Sequence, residues 1–254
     1  MKIKTSKPKM LRFLNTALIG GLISKSCVRF SPDDYKNHFV EIADKSLQTV
    51  IMWGRFHGAF FTSVAYNNNE TFSISESIHK AIKKIGASDI FLESNDDFII
   101  AEGSSFKYKE SEQDMQYSEI EISNEESETG DKYFRPNLVS IDEIEFQVFI
   151  DTEELRKVPQ ADKYTFVLDK GDIKVVTEDV GKLEIKLTSS SISDLNLTYS
   201  KSFSGDIFDK LLLNFDGKIC MEFGKKFLIL SQSTKEIDLM FAQASLVDTS
   251  TVTI

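Results

Sequence analysis

The sequence predicts an α+β protein that is mostly antiparallel β, and three observations lead to this fold class. Short runs of period-two apolar alternation recur along the chain, separated by turn sequences such as Asn67-Asn68-Asn69. Only four segments show helical spacing, and the order of strands and helices repeats once. The chain of 254 residues is 41% hydrophobic, with 4 Pro and 12 Gly, which suffices for a large core and excludes disordered and collagen-like classes.

The predicted strands follow one another at the spacing of a sandwich or barrel rather than of βαβ units. They are Ser26–Phe30, His38–Ile42, Gln48–Trp53, Ala59–Val64, Asp89–Glu93, Phe98–Ala101, Ser105–Lys109, Glu143–Ile150, Tyr164–Leu168, Asp172–Thr177, Lys182–Thr188, Asn196–Tyr199, Lys218–Phe223, Phe227–Ser231 and Ile237–Ala242.

Four segments place their apolar residues at helical spacing instead. Pro8 suits the first turn of one, and Ser75 is a capping residue for another, which stops before Gly86. Pro159 ends a third, shorter segment. The predicted helices are Pro8–Leu22, Ser75–Ile85, Asp151–Val158 and Ser204–Phe215.

The order of these elements indicates a duplicated unit. Strand, helix, four strands, helix and three strands describes residues 1–109, and the same description fits residues 143–244. Between them, residues 110–131 contain nine acidic residues and little periodic apolar pattern, which is typical of a linker. We therefore predict domains at 1–110 and 141–254, joined by an acidic connector at 111–140.

No motif for catalysis or cofactor binding is present. The three histidines lack metal-ligand spacing, no phosphate loop or nucleophile elbow occurs, and Cys27 and Cys220 lie in apolar runs typical of buried thiols. We expect no catalytic residue, no cofactor and no metal. Arg12 and Asn15 interrupt the apolar stretch after the basic N-terminus, so we expect an intracellular protein without a secretion signal.

The charge distribution predicts one basic surface on an acidic body. The formal net charge is −10, yet residues 1–60 have 10 Lys/Arg against 4 Asp/Glu, so the remainder has a net charge of −16. Basic residues lie opposite the apolar faces of the first two predicted helices, at the end of the third and on or beside the fourth, as sequence-independent contact with phosphates requires. The candidates for such contact with nucleic-acid phosphates are Lys9, Arg12, Lys80, Lys83, Lys84, Arg156, Lys157 and Lys210.

Four stretches of the sequence carry a resemblance to a known family: Val40–Met52, Phe72–Ile85, Ser200–Leu211 and Ile219–Leu230. They resemble the DNA sliding clamp family of the PCNA type. Val40–Met52 is similar to a strand–loop–strand of that family, and Phe72–Ile85 resembles one of its helices with the strand end before it. Ser200–Leu211, followed by Ile219–Leu230, resembles the last helix and closing strands. The order and spacing of these stretches extend the resemblance over nearly the whole chain, although Met240–Ala244 lacks the proline usual near the family's C-terminus.

The resemblance implies two similar clamp domains, each with sheets outside and two helices inside. It implies a ring, usually a trimer, that encircles double-stranded DNA without sequence specificity. Such a ring tethers a DNA polymerase, meets a clamp loader and binds other proteins with a clamp-binding motif, in the nucleus or cytoplasm where DNA is replicated. The helix cations would line the DNA channel, and no membrane partner is expected.

The resemblance also implies two contact surfaces. Edge strands would pair between subunits through Phe106 and Tyr108 on one side and Leu183 and Ile185 on the other. A groove beside the connector would take partner peptides, with acidic residues nearby to attract a basic flank. Its predicted walls are Leu47, Ile120, Ile122, Phe241 and Ala242.

Three alternatives remain open at this point. A processivity factor that acts as a monomer or in a heteromeric ring, of a checkpoint or viral kind, has the same cationic helices. A viral β-sandwich structural protein predicts no clustering of basic residues on helices. An enzyme with a site assembled from residues distant in sequence is the third.

Overall fold

The structure is a computed structural model of the chain. It describes residues 2–33, 37–47, 49–65, 71–95, 98–103, 106–111, 115, 117–177, 182–192 and 197–246, without the side chains of 30–33, 37–39, 95, 98–99, 106 and 190–192. Its contacts group into two units. Unit 1 comprises Met1–Glu121 with Ser233–Met240, and unit 2 comprises Ile122–Gln232 with Phe241–Ile254. The domain bounds expected from sequence stay a prediction.

Unit 1 contains two α-helices set between strands. Its strands are β1 (Lys2–Ser6), β2 (Lys25–Asp33), β3 (Asn37–Asp44), β4 (Val50–His57), β5 (Ser63–Ala65), β6 (Thr71–Ser75), β7 (Asp89–Asn95), β8 (Phe98–Gly103) and β9 (Phe106–Ser111). Its helices are α1 (Lys7–Ala17) and α2 (Glu76–Lys84), with short 3-10 turns at Ile19–Gly21 and Gly58–Phe60.

Unit 2 begins with a β-hairpin and then repeats the same kind of succession. The hairpin is β10 (Ile122–Glu126) and β11 (Lys132–Pro136), followed by a 3-10 turn at Ile141–Glu143. Its other strands are β12 (Ile144–Asp151), β13 (Lys163–Asp169), β14 (Asp172–Thr177), β15 (Leu183–Lys186), β16 (Ser189–Ile192), β17 (Tyr199–Ser204), β18 (Lys218–Gly224), β19 (Phe227–Ser233) and β20 (Ile237–Ala244). The first half of β20, up to Met240, is grouped with unit 1, and its second half with unit 2. Its helices are α3 (Thr152–Arg156) and α4 (Gly205–Leu212).

The two units arrange their strands in the same order. In unit 1 one run of neighbours is β5-β1-β7-β8-β9 and another is β4-β3-β2-β6. In unit 2 the corresponding runs are β16-β12-β18-β19-β20 and β15-β14-β13-β17. The pairings are antiparallel in both units, for example β1 with β7 and β12 with β18. The predicted fold class, mostly antiparallel β with two similar halves, is therefore confirmed.

Aromatic side chains fill the core of each unit separately. In unit 1 the Phe13 ring of α1 meets the Phe56 and Phe61 rings edge-on, with centroids 5.0 and 5.7 Å away. In unit 2 Phe166 meets the Phe208 ring of α4 edge-on at 5.4 Å. Such pairs contribute about 0.5–1.5 kcal/mol each beyond the burial of their area. Each helix is thus held on its own unit through its apolar face.

The segment Ser233–Met240 belongs to unit 1 through specific polar contacts. The Asp238 Oδ2 atom lies 2.9 Å from His57 Nε2, and the His57 backbone N–H donates to the Glu236 carbonyl at 2.9 Å. The Glu236 carboxylate also pairs with Lys9 of α1 at 2.7 Å. The backbone of β4 and the first turn of α1 are therefore both fastened to a segment far along the chain.

The structure corrects several of the predicted elements. The helix predicted to run to Leu22 ends at Ala17, because the backbone turns left-handed at Ile19 (φ 49°) and Gly20 (φ 62°). Each half has five strands between its helices rather than four, since neither β6 nor β16 was predicted. The strand predicted at Ala59–Val64 is instead the 3-10 turn Gly58–Phe60 followed by the short β5. The predicted linker contains the hairpin β10–β11. Within the described ranges, no helix combines the length and apolar character needed to cross a membrane.

Candidate functional site

The helices of unit 1 bury one face and turn cations to solvent on the other. α2 begins where the Ser75 Oγ accepts a hydrogen bond from the Ile78 backbone N–H at 3.1 Å, which satisfies one free donor of its first turn. Ile78 and Ile82 are buried against the unit, whereas Lys83 is exposed. The spacing that packs the helix therefore also sets which basic residues face water.

The helix pair of unit 1 is strongly basic. α1 carries three cations and no carboxylate, and α2 carries three cations and one carboxylate, for a formal charge of +5. Lys9 pairs with Glu236 at 2.7 Å and Lys80 pairs with Glu76 at 2.8 Å. Among the described residues, no carboxylate forms an ion pair with Lys83 or Lys84, which are both exposed. Counting Glu236, the pair keeps a formal +4.

Lys7, which the sequence analysis did not select, ties the two helices of unit 1 together. Its Nζ donates to the backbone carbonyls of Lys83, at 2.9 Å, and of Ile85. These are carbonyls of the last turn of α2, where the helix dipole places partial negative charge. The ammonium therefore caps the end of α2 beside Lys83 and Lys84. Its partners lie 76 and 78 residues away, so no local sequence signal could have indicated the contact.

The ionisation of α2 follows from its own neighbours. The hydrogen bond from Lys80 and that lysine's charge lower the pKa of Glu76. Burial, and then the charge of Lys83, lower the pKa of His79 from its ordinary value of 6.5. At neutral pH His79 is therefore uncharged, and the positive charge of this face comes from the lysines.

The helices of unit 2 also carry the predicted cations, but each has an acidic partner on the same helix. Arg156 pairs with Glu153 at 2.8 Å, and Lys210 pairs with Asp206 at 2.9 Å. Lys157, the residue after α3, pairs with Glu154. α3 and α4 each carry two carboxylates and one cation, for a formal −2, or −1 with Lys157 included.

A cavity of about 510 Å³ opens beside α3 and α4, and its lining is mixed in charge. It includes Leu155 of α3 and Leu213, which is 67% exposed, together with Asp209 of α4. Burial raises the pKa of Asp209, and its Oδ1 accepts a hydrogen bond from the Tyr164 hydroxyl at 2.9 Å. The charged side chains of α3 and α4 thus already have ion-pair or hydrogen-bond partners within unit 2.

The two strands predicted to join subunits lie at sheet edges. Among the described strands, β9 pairs only with β8, and β15 pairs only with β14. Tyr108 of β9 is half-buried and donates from its hydroxyl to Glu110 at 2.9 Å. Leu183 of β15 is 42% exposed and Ile185 is half-buried. The side chain of Phe106 lies outside the described residues. Each edge therefore offers open backbone groups beside apolar side chains.

Part of the predicted peptide groove comes together within unit 1. The Lys45 Nζ donates to the Glu119 carbonyl at 3.4 Å, which brings the turn carrying Leu47 beside the segment carrying Ile120. Both of these side chains are half-buried. The same segment is held by the Tyr117 ring, over which the Arg29 guanidinium stacks at 4.3 Å. Burial and the Glu41 carboxylate raise the pKa of Tyr117.

The other three predicted groove residues belong to unit 2 and differ from expectation. Ile122 opens β10 and is half-buried, whereas the sequence indicated no strand there. Phe241 is fully buried, with its ring edge-on to Phe215 at 5.6 Å, and Ala242 is 8% exposed. Phe241 and Ala242 are therefore core residues and do not present an open wall to a peptide.

The hairpin that carries Ile122 is anchored by a buried ion pair. The Arg135 guanidinium of β11 pairs with the Glu222 carboxylate of β18, and neither side chain is more than 6% exposed. Tyr133 packs edge-on against Phe149 at 6.1 Å. Burial raises the pKa of Glu222 in spite of the arginine. Within the described part of the chain, no group of three His, Cys, Asp or Glu residues is placed to hold a metal.

Comparisons with known proteins identify the fold by structural similarity and not by sequence similarity. No family model matches the sequence, and no curated protein matches it. Solved PCNA structures do match it over nearly their whole length. PCNA of A. fulgidus, bound to the C-terminal region of FEN-1, is 12% identical, with 97% of this chain and 98% of that chain covered and a TM-score of 0.70.

Two further structures agree. PCNA of Thermococcus kodakaraensis is 12% identical, with 96% and 99% covered and a TM-score of 0.72. The PCNA2–PCNA3 complex of Sulfolobus tokodaii matches at 14% identity, 96% and 99% coverage and a TM-score of 0.68. The chain is thus similar in structure to PCNA sliding clamps, as the sequence resemblance indicated.

Proposed function

We propose that the chain is a DNA sliding clamp, a non-enzymatic processivity factor that encircles duplex DNA and tethers replication and repair proteins inside the cell. The observation that carries this proposal is the basic helix pair of unit 1, found in a chain of net charge −10 whose fold is that of PCNA throughout. Exposed lysines attract DNA phosphates electrostatically and do not recognise particular bases, so they suit a protein that binds DNA weakly and slides along it.

The direct test is primer extension on a circular single-stranded template with the replicative polymerase and clamp loader of the source organism. We expect longer products per polymerase binding event when the protein is present, because a closed ring prevents dissociation. The gain should disappear on a short linear template, from whose end a ring can slide. Product lengths that do not respond to the protein on the circle would contradict the proposal.

The proposed ring would be closed by β9 and β15, whose edges can complete one another's hydrogen-bond ladders between subunits. Tyr108→Pro removes a backbone donor from β9, whereas Tyr108→Phe keeps it and serves as the control. We expect light scattering to give a trimer for the wild type and the control, and a 28.8 kDa monomer for the proline variant. A ring that survives Tyr108→Pro would place the interface elsewhere.

A heteromeric ring is the second candidate, because one of the matched structures is a complex of two different PCNA chains. The same edges would then meet a related chain rather than a second copy. A wild type that is monomeric alone and assembles only when a related clamp chain is added would decide for this alternative.

Partner peptides are proposed to bind unit 1 beside Leu47 and Ile120. The FEN-1 C-terminal region found on A. fulgidus PCNA supplies a peptide for calorimetry. We expect Leu47→Ala with Ile120→Ala to weaken its binding about tenfold or more, since two apolar contacts are lost. Phe241→Leu, a core change, should leave the affinity unchanged. Equal affinity for the double variant would remove these residues from the site.

A further inference from the structure

We propose that contact with DNA phosphates is carried by the helix pair of unit 1, and that the helix pair of unit 2 contributes little. This inference rests on the clamp function proposed above and assigns its DNA-binding face more narrowly. The sequence treats the cations of all four helices as equivalent. Their surroundings in the structure divide them into two classes.

The first class consists of the cations of unit 1, whose charge is only partly compensated. Lys9 and Lys80 pair with Glu236 and Glu76, and the helix pair still keeps a formal +4. Lys83 and Lys84 are exposed at the end of α2, and no described carboxylate pairs with either. A phosphate that approaches them meets net positive charge without first having to break an ion pair. Burial is the main cause of the lowered pKa of His79, and the charge of the neighbouring Lys83 adds to it.

The second class is compensated within single turns of helix. Arg156, Lys157 and Lys210 each pair with a carboxylate three or four residues earlier. Opposite charges this close act on a phosphate as a dipole, whose field falls off faster than that of a single charge. Salt screens what remains, because the Debye length is about 10 Å at 0.1 M. Exchanging such a pair for a phosphate contact also leaves the carboxylate unpaired.

The C-terminal ends of α2 and α4 also differ in charge, and the end of α2 is again the more positive. The last carbonyls of α2 accept hydrogen bonds from the ammonium of Lys7. The last carbonyls of α4, those of Lys210 and Leu211, accept them from the neutral amide of Asn214. Partial negative charge at a helix C-terminus repels phosphate unless a cation covers it. Lys7 therefore adds positive charge at the end of α2, whereas Asn214 adds none at the end of α4.

The test compares two neutralising variants that remove the same number of charges. Lys80→Gln/Lys83→Gln/Lys84→Gln alters unit 1, and Arg156→Gln/Lys157→Gln/Lys210→Gln alters unit 2. Affinity for a fluorescent 30-base-pair duplex is measured by anisotropy from low to moderate salt, with thermal melting as the check on folding. Because the Arg156 guanidinium also bonds the Phe215 carbonyl, the doubles Lys83→Gln/Lys84→Gln and Lys157→Gln/Lys210→Gln provide a second matched pair.

We expect the unit 1 triple to weaken binding by tenfold or more and to flatten the slope of log affinity against log salt by about 2.7. The unit 2 triple should change affinity less than twofold. Equal losses in both, or a larger loss in unit 2, would overturn this inference while leaving DNA binding intact. A unit 1 triple that binds as the wild type does would overturn it as well. A wild type that fails to lengthen primer extension on the circular template would instead count against the clamp function itself.

Discussion

Units 1 and 2 have the same strand order and nearly opposite surfaces on their helices. Both place five strands between two helices and three strands after the second, and both pair them antiparallel. Yet α1 and α2 carry a formal +5, whereas α3 and α4 carry −2. The buried faces agree because apolar periodicity dictates packing. The exposed faces are free to diverge, since surface substitutions change stability little. Fold and phosphate attraction are therefore encoded by different residues of the same helices.

The two units also stabilise charged groups in different ways. In unit 1 the Glu41 carboxylate is shared by Arg29 and Arg55, at 2.8 and 2.9 Å, and both arginines are about one-third exposed. In unit 2 the Glu222 carboxylate pairs with Arg135, and both side chains are almost completely buried. Losing one arginine should therefore have unequal consequences, which makes the comparison measurable.

Arg135→Met should produce the largest effect. It leaves the Glu222 carboxylate buried without its cation, which costs about 3–5 kcal/mol of the free energy of unfolding. Arg29→Met is the matched change in unit 1, and we expect it to cost about 1 kcal/mol, because Arg55 still pairs with Glu41 and the site is partly hydrated. Urea unfolding at pH 7 measures both. Equal losses would show that burial does not distinguish the two ion pairs.

The pH dependence of the Arg135→Met variant sharpens this result. Burial already raises the pKa of Glu222, and removal of the arginine raises it further. A carboxyl group whose pKa is raised in the folded state destabilises the fold once pH rises above its unfolded value. The deficit relative to the wild type should therefore shrink on acidification. Glu222→Gln added to Arg135→Met should recover part of the loss at pH 7.

Ser75→Ala should have an intermediate effect on stability, and the corresponding change in unit 2, Ser204→Ala, should have a smaller one. The Ser75 side chain caps α2, and its loss costs about 1 kcal/mol. The corresponding Ser204 before α4 makes no capping hydrogen bond with its side chain, so Ser204→Ala should change stability by only a few tenths of a kcal/mol. Thermal or urea unfolding of the two variants would contradict this comparison if Ser204→Ala were the more costly.

His79→Gln should have the smallest effect, visible only as a change with pH. All three histidines of the sequence lie in unit 1. Since the folded pKa of His79 lies below its ordinary value of 6.5, the unfolded chain takes up the proton first on acidification. The contribution of neutral His79 to the free energy of unfolding is therefore complete at a pH well above 6.5, and it decreases below pH 6.5. His79→Gln should make the urea midpoint fall less between pH 7 and pH 5.5; an unchanged fall would contradict the assignment.

The sequence predicted those elements whose position depends on residues close together in the chain. The cap at Ser75 and the apolar spacing of Ile78 and Ile82 located α2 to within one residue at each end. Alternation at Tyr108 and at Leu183 located strands that lie at sheet edges. In both cases the deciding pattern spans fewer than a dozen residues, so a short stretch of sequence is enough to contain it.

Contacts between residues far apart in the chain could not be predicted from the sequence. The hairpin β10–β11 has an acidic turn and few apolar residues, and its stability comes from Arg135 on Glu222 and Tyr133 on Phe149. Lys7 likewise acts through carbonyls on another helix. The acidic partners of Lys157 and Lys210 are different, because they lie three and four residues away. Their helical spacing is visible in the sequence, but Glu76 precedes Lys80 of unit 1 at the same spacing, so spacing alone does not separate the two classes of cation.

The membership of Ser233–Met240 in unit 1 has a consequence for how the chain is made. A ribosome releases residues 1–121 long before Asp238 and Glu236, the partners of His57 and Lys9, have been synthesised. Unit 1 therefore cannot complete its contacts when residues 1–121 have been made, because more than a hundred further residues separate them from Ser233–Met240. During that interval the nascent β4 and α1 lack these polar partners, and unit 1 is completed only after the strands and helices of unit 2 that precede Ser233 have been synthesised.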